Sequence, residues 1–193
     1  TGPEELLAER AVERVVRLAR EADPEVEVSE LEAAAYQAGT LRVVASPSLF
    51  AERRLVVVAG LEAATDDLLA DLTEHVAEPP PDVVLVVRHS GAPRGRKAAD
   101  ALRAAGALVV AADAVKRDAD KTAFVTDELR RAGRRAEPAA IRALVEACGS
   151  DLRELAAACA QLVADTDGPV TADVVARYYG GRVEATGFRV AAV

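Results

Sequence analysis

The chain has 193 residues, 51% hydrophobic and 29% charged, a globular balance that excludes wholesale disorder. Its 24 basic and 32 acidic side chains leave a net charge of −8, which opposes indiscriminate attraction to phosphate backbones. No apolar run approaches the roughly 18 residues of a membrane-spanning helix, so a membrane partner is not expected. Met is absent, so the chain is expected to be a processed or excised piece, and its first residues lack the basic and apolar stretches of a secretory signal.

Pro3, Glu4 and Glu5 form an acidic helix start, and Leu7, Ala11, Val15 and Leu18 recur at helical spacing, which predicts a helix to about Arg20. Val26 and Val28 alternate with Glu25, Glu27 and Ser29, the pattern of a short half-exposed strand. Leu31 to Ala45 reads as weakly helical. Leu55 to Val58, Val83 to Val87 and Leu108 to Val110 are short continuous runs rich in β-branched residues, the pattern of buried strands in a parallel sheet. Thr65 to Ala77 and Lys97 to Ala105 have helical patterns, ended by Pro79-Pro80-Pro81 and by Gly106. This alternation predicts a doubly wound α/β layer.

From about Arg117 the strand signal stops and four helical segments follow, Asp118 to Ala132, Pro138 to Cys148, Asp151 to Ala164 and Thr171 to Tyr179. Pro138 opens one helix, Gly149 closes it, and Asp151 with Glu154 resembles a capping box for the next. The expected division is an α/β domain over 1–116, an all-helical domain over 117–181 and a linker over 182–193. Cys148 and Cys159 lie in helical sequence without a CxxC or Cys/His cluster and read as reduced, buried small hydrophobes.

An α/β layer invites a search for phosphate-binding machinery, but GxxxxGK[ST] does not occur. Gly91-Ala92-Pro93-Arg94-Gly95-Arg96-Lys97-Ala98 comes nearest, with its second Gly one place early and Ala98 where a metal-ligating hydroxyl is needed. It reads as a basic loop tip, with a DNA-phosphate contact by Arg94, Arg96 or Lys97 as the alternative. Val58 leads into Ala59-Gly60-Leu61 before Glu62, so the strand-end carboxylate that an ATPase uses for magnesium is missing where expected. GxSxG is absent, and His75 and His89 have no Cys or Ser constellation around them, so His89 reads as a strand-end histidine. The cluster Arg130, Arg131, Arg134 and Arg135 suits either a DNA-binding module or a solvated helix end that favours the negative dipole terminus.

Ser46-Pro47-Ser48-Leu49-Phe50-Ala51-Glu52-Arg53-Arg54 places two adjacent large apolar residues just ahead of a strand. Spacing alone assigns Leu49 and Phe50 to the core, stapling a helix to the sheet; on the surface the same pair is an anchor for a partner's pocket.

Several pieces together resemble the delta subunit of bacterial DNA polymerase III, the clamp-loader wrench. Its actinobacterial members share the Ala-, Arg- and Val-rich usage seen here. Gly2-Pro3-Glu4-Glu5-Leu6-Leu7 resembles the family's opening, and Ser46 to Arg53 is similar to its clamp-contacting segment. Gly149-Ser150-Asp151-Leu152-Arg153-Glu154-Leu155 resembles the lid signature, and Arg177-Tyr178-Tyr179-Gly180-Gly181 resembles the lid's exit. The resemblance implies an AAA+-like α/β domain without a P-loop, a helical lid, and a collar that is expected to lie outside these residues; the family's first strand is also expected to precede Thr1. It implies no cofactor, no catalytic activity and a cytoplasmic place in the replisome, with the sliding clamp (the beta subunit), other loader subunits and primer-template DNA as partners. It also turns Leu49 and Phe50, with Ser48 beside them, into the clamp anchor. The competing expectation is an AAA+-type or flavodoxin-like nucleotide-binding enzyme truncated at its phosphate loop.

Overall fold

In a computed structural model, residues 1–46 and 53–180 are described, and they fall into two units, 1–114 and 115 onward. The first is organised by Leu55, Val56, Val57 and Val58, four consecutive buried positions of the central strand β2 (Arg54–Ala59). A strand covered on both faces needs no polar alternation, which is why this stretch is uniformly apolar. It pairs in parallel with β1 (Glu27–Glu32) and β3 (Val83–Val87) in the order β1-β2-β3, with Glu27 opposite Arg54 and Arg54 opposite Val83.

Successive side chains alternate between the faces. Val56 and Val58 meet Leu41, Leu61, Leu68 and Leu72 in one core, where α3 (Asp66–Ala77) packs. Leu55 and Val57 face the other way, and α1 (Glu5–Ala22) lies against β2. Thr65 caps α3 by accepting from the Leu68 amide at 3.3 Å. Gly95, at φ 78°, opens α4 (Arg96–Ala104); a Cβ there would lie 2.6 Å from the Leu61 carbonyl oxygen, so the position takes only glycine without a local shift.

Two expectations are corrected here. Leu108 to Val110 forms no strand, and Leu108 is 96% exposed. A strand requires a neighbouring ladder, and residues 108–110 share none with β3; the backbone contacts at this end run to Thr1 and Gly2. The Thr1 ammonium donates to the Val110 carbonyl at 2.6 Å, the Ala112 amide to Thr1 at 2.7 Å, and the Gly2 amide to the His89 carbonyl at 3.0 Å. Between β3 and residues 108–110 runs an apolar groove of about 400 Å³, lined by Val84, Val86 and Leu102. Second, the stretch from Leu31 to Ala45 is not continuously helical. β1 continues through Glu32, a 3-10 turn covers Ala33–Ala35, Gly39 takes φ 80°, and only α2 (Thr40–Val44) is α-helical. Parallel pairing of Leu31 and Glu32 with Val58 and Ala59 holds the start of this stretch in the sheet.

The second unit holds α5 (Asp118–Arg131), α6 (Pro138–Cys148), α7 (Leu152–Asp165) and helical residues 172–180. Its buried side chains include Val125, Leu129, Leu144, Leu155, Leu162 and both cysteines, which form no disulfide. Asp151 caps α7, accepting from the Arg153 amide at 2.8 Å and the Glu154 amide at 3.2 Å. α5 ends in a Schellman motif: Gly133, at φ 70°, donates to the Arg130 carbonyl and Arg134 to that of Leu129.

That motif aims Arg134 at a different helix. Its guanidinium donates to the carbonyls of Val163 at 3.0 Å, Thr166 at 2.5 Å and Gly168 at 2.8 Å, and to the Thr166 hydroxyl at 2.9 Å. The arginine cluster is therefore not one solvated helix end. Arg130 and Arg131 pair with Asp127 and Glu128 on their own helix, while Arg134 closes the C-terminus of α7.

Candidate partner-binding site

Ser48, Leu49 and Phe50 lie outside the described residues, so the site is built from what holds either side of them. Ser46 and Arg53, the nearest described residues, are both exposed. On the approach side, α2 is fixed by a buried-edge network. The Tyr36 hydroxyl donates to Asp71 Oδ2 at 2.5 Å and accepts from the Leu41 amide at 2.7 Å, while the same carboxylate oxygen accepts from the Gly39 amide at 2.7 Å. One carboxylate on α3 thus sets both the glycine turn before α2 and, through the phenol, the first turn of the helix. Arg42 pairs with Glu74 at 2.8 Å, an exposed bridge that adds little. Beside α2 is a groove of about 380 Å³ lined by Leu41, Ala45, Asp71, Glu74, His75 and Glu78. Burial depresses the pKa of His75, which keeps the imidazole neutral to lower pH than an ordinary histidine.

Burial, reinforced by the bond to Asp71, pushes Tyr36 up to about 12. A group whose pKa is raised on folding stabilises the fold fully below its unfolded value near 10, and that contribution disappears as pH climbs through 12. Ultraviolet titration of the three tyrosines is accordingly expected to show one phenol ionising well after an ordinary tyrosine, a step that vanishes in Tyr36→Phe. The same variant leaves the Leu41 amide without its acceptor and is expected to lose about 1–3 kcal/mol by urea unfolding.

On the departure side, Arg54 begins β2 and its guanidinium turns back to Ser46. Nη1 donates to the Ser46 carbonyl and, at 3.0 Å, to the Ser46 hydroxyl, and Nε lies 3.1 Å from Glu27 Oε2.

The basic tip is engaged differently from a phosphate cradle. Arg94 donates to the Ala64 carbonyl at 2.6 Å and pairs with Asp66 at 3.0 Å, and Arg96 donates to the Gly91 carbonyl at 2.9 Å. Both side chains thereby stitch the loop that enters α4, whereas Lys97 is exposed on its first turn. His89 is buried, with Nε2 2.9 Å from the Arg94 carbonyl. Glu62, one turn past β2, accepts from the Ser90 amide at 3.0 Å; burial pushes its carboxyl up, but the Ser90 bonds and the nearby His89 outweigh this and hold it below the ordinary value. Glu62 therefore ties the ends of β2 and β3 together. Sequence reading missed the Arg54–Ser46, Tyr36–Asp71 and Arg134 contacts because each joins residues of unremarkable local pattern.

Among solved structures, the chain is similar to the Bacillus subtilis DNA clamp loader delta protein (YqeN), with a TM-score of 0.63 at 18% identity over 90% of this chain and 55% of that one. It is also similar to Thermotoga maritima RuvB, the Holliday junction branch migration motor, with a TM-score of 0.52 at 11% identity over 82% of this chain and 53% of that one. A RuvB P216G mutant gives 0.52 at 10% identity over 83% and 54%. These likenesses define the class as an AAA+-like α/β fold with a helical C-terminal part. No curated protein matches. The family DNA polymerase III, delta subunit, matches residues 1–111, and the chain belongs to that family. It spans about half the length of the solved relatives it resembles.

Proposed function

We propose that the chain acts as a non-catalytic clamp-loader subunit that binds the replicative sliding clamp through Leu49 and Phe50, with Ser48 beside them, and helps to open it. The observation that carries this reading is the delta-subunit family match over residues 1–111, a span that includes the whole segment from Ser46 to Arg53. Exposure of Ser46 and Arg53 supports an anchor rather than a core staple, since the chain enters and leaves the segment at the surface. A pair of apolar side chains favours the open ring only by binding that state more tightly than the closed one. In this reading residues 117–181 serve as the lid and 182–193 lead toward a collar. Other loader subunits supply ATP hydrolysis, primer-template DNA is met by the assembled complex, and the protein works in the cytoplasm. No helix among the described residues is long and apolar enough to cross a membrane. The test is calorimetric or surface-based binding to the cognate clamp, wild type beside a folded Leu49→Ala/Phe50→Ala variant. Equal binding by the two refutes the anchor.

A further inference from the structure

Resting on that reading of Leu49 and Phe50, we infer that Arg54 is a positioning residue for the clamp anchor, clasping the two feet of the segment that carries it. Arg54 is fixed before it makes the clasp: its amide donates to the Asp82 carbonyl at 2.9 Å, and its backbone is in register with Glu27 on β1 and Val83 on β3. Its side chain is only 18% exposed, with the charge neutralised by Glu27. From this rigid base Nη1 reaches both oxygens of Ser46. Ser46 is in turn held to α2, its hydroxyl donating to the Val43 carbonyl at 2.8 Å. The Ser46 hydroxyl thus donates on one side and accepts on the other, making a continuous relay from the end of α2 to the first residue of β2.

The energetic logic is that of preorganisation. A segment whose ends are free must lose loop entropy when it docks, whereas one whose ends are already joined has lost part of it in the free protein. The planar guanidinium makes this possible, because it serves Ser46 from one nitrogen while another faces Glu27; an ammonium offers a single point. Contact between Arg54 and the clamp is not part of the role.

The experiment measures clamp affinity, together with amide hydrogen exchange in the free protein, for wild type, Arg54→Ala, Arg54→Lys and Leu49→Ala/Phe50→Ala. The expected result for both Arg54 variants is a roughly tenfold weaker affinity, the size that follows when the binding-competent fraction falls to about a tenth. Exchange of the Ala45 and Ser46 amides, which bond to Leu41 and Val43, should speed up while that of the Val56, Val57 and Val58 amides in β2 keeps its wild-type rate. Wild-type affinity in both variants would overturn the inference. So would weaker affinity with unchanged exchange at Ala45 and Ser46, which assigns Arg54 a direct contact instead. If Arg54→Ala also loosens β2, Arg54→Lys, which retains the charge beside Glu27, decides the matter by the same two readouts. Wild-type affinity in Leu49→Ala/Phe50→Ala overturns the anchor reading itself and is recognisable separately, because it leaves the exchange difference between the Arg54 variants and wild type in place.

Discussion

Changing Leu49 and Phe50 together to alanine is expected to weaken clamp binding by about 100- to 10,000-fold while leaving thermal unfolding of the chain close to wild type. Fully burying a large apolar side chain contributes roughly 1.5–3 kcal/mol, so the pair supplies about 3–6 kcal/mol, and each 1.4 kcal/mol is about a factor of ten. The two observables separate the competing assignments. A staple between helix and sheet costs about 2–5 kcal/mol of folding stability per large residue removed. An anchor costs affinity instead. A large drop in unfolding midpoint with affinity retained in the folded fraction would return the pair to the core.

Arg134→Ala is expected to destabilise the helical unit by about 2–4 kcal/mol, seen as an earlier transition in urea followed by circular dichroism. The guanidinium answers the carbonyls of Val163, Thr166 and Gly168 at the end of α7, where helix geometry leaves acceptors without internal partners. Truncation leaves the part-buried Val163 and Thr166 carbonyls without this donor and removes a positive charge from the negative end of the helix dipole. Arg134→Lys should recover less than half the loss, since one ammonium cannot span acceptors on three residues. Arg130→Ala is the matched control: its partner Asp127 and its own side chain are both well exposed, so its effect should stay within about 0.5 kcal/mol. Equal effects at the two arginines would show that water replaces the Arg134 contacts without cost.

The parts of the fold legible in the sequence are those decided locally. Uniform β-branched runs marked β2 and β3, Thr65 and Asp151 marked helix starts, and Gly106 and Gly149 marked helix ends, because each of these features acts within a few residues. Leu108 to Val110 has the same Leu-Val-Val run as β2 yet forms no strand, because apolar content does not reveal whether a partner strand lies alongside. β1 was under-read for the converse reason: its acidic residues suit an edge strand with one face to water, and only pairing through Glu32 with Ala59 carries it past the alternating stretch. At the candidate site, the Leu-Phe pair stood out by its chemistry. The residues that hold its surroundings did not, because Tyr36 meets Asp71 across 35 positions and Arg54 meets Ser46 through a side chain whose direction is set by the sheet.

The all-parallel order β1-β2-β3 has a kinetic consequence. Parallel neighbours cannot be joined by a tight hairpin, so Glu27 must find Arg54, and Arg54 must find Val83, only after the intervening loops and α3 have closed. The helical unit is built from short-range packing among α5, α6 and α7 and has no such delay. Stopped-flow refolding should therefore resolve a fast phase sensitive to Arg134→Ala and a slower one sensitive to substitutions in β2. On the ribosome the order is reversed, since residues 1–114 emerge first and are the slower to fold. During that interval the bare strand edges and the Leu55 to Val58 run are open to pairing with other chains, so the unit made first is the one that most needs shielding while the chain is still growing.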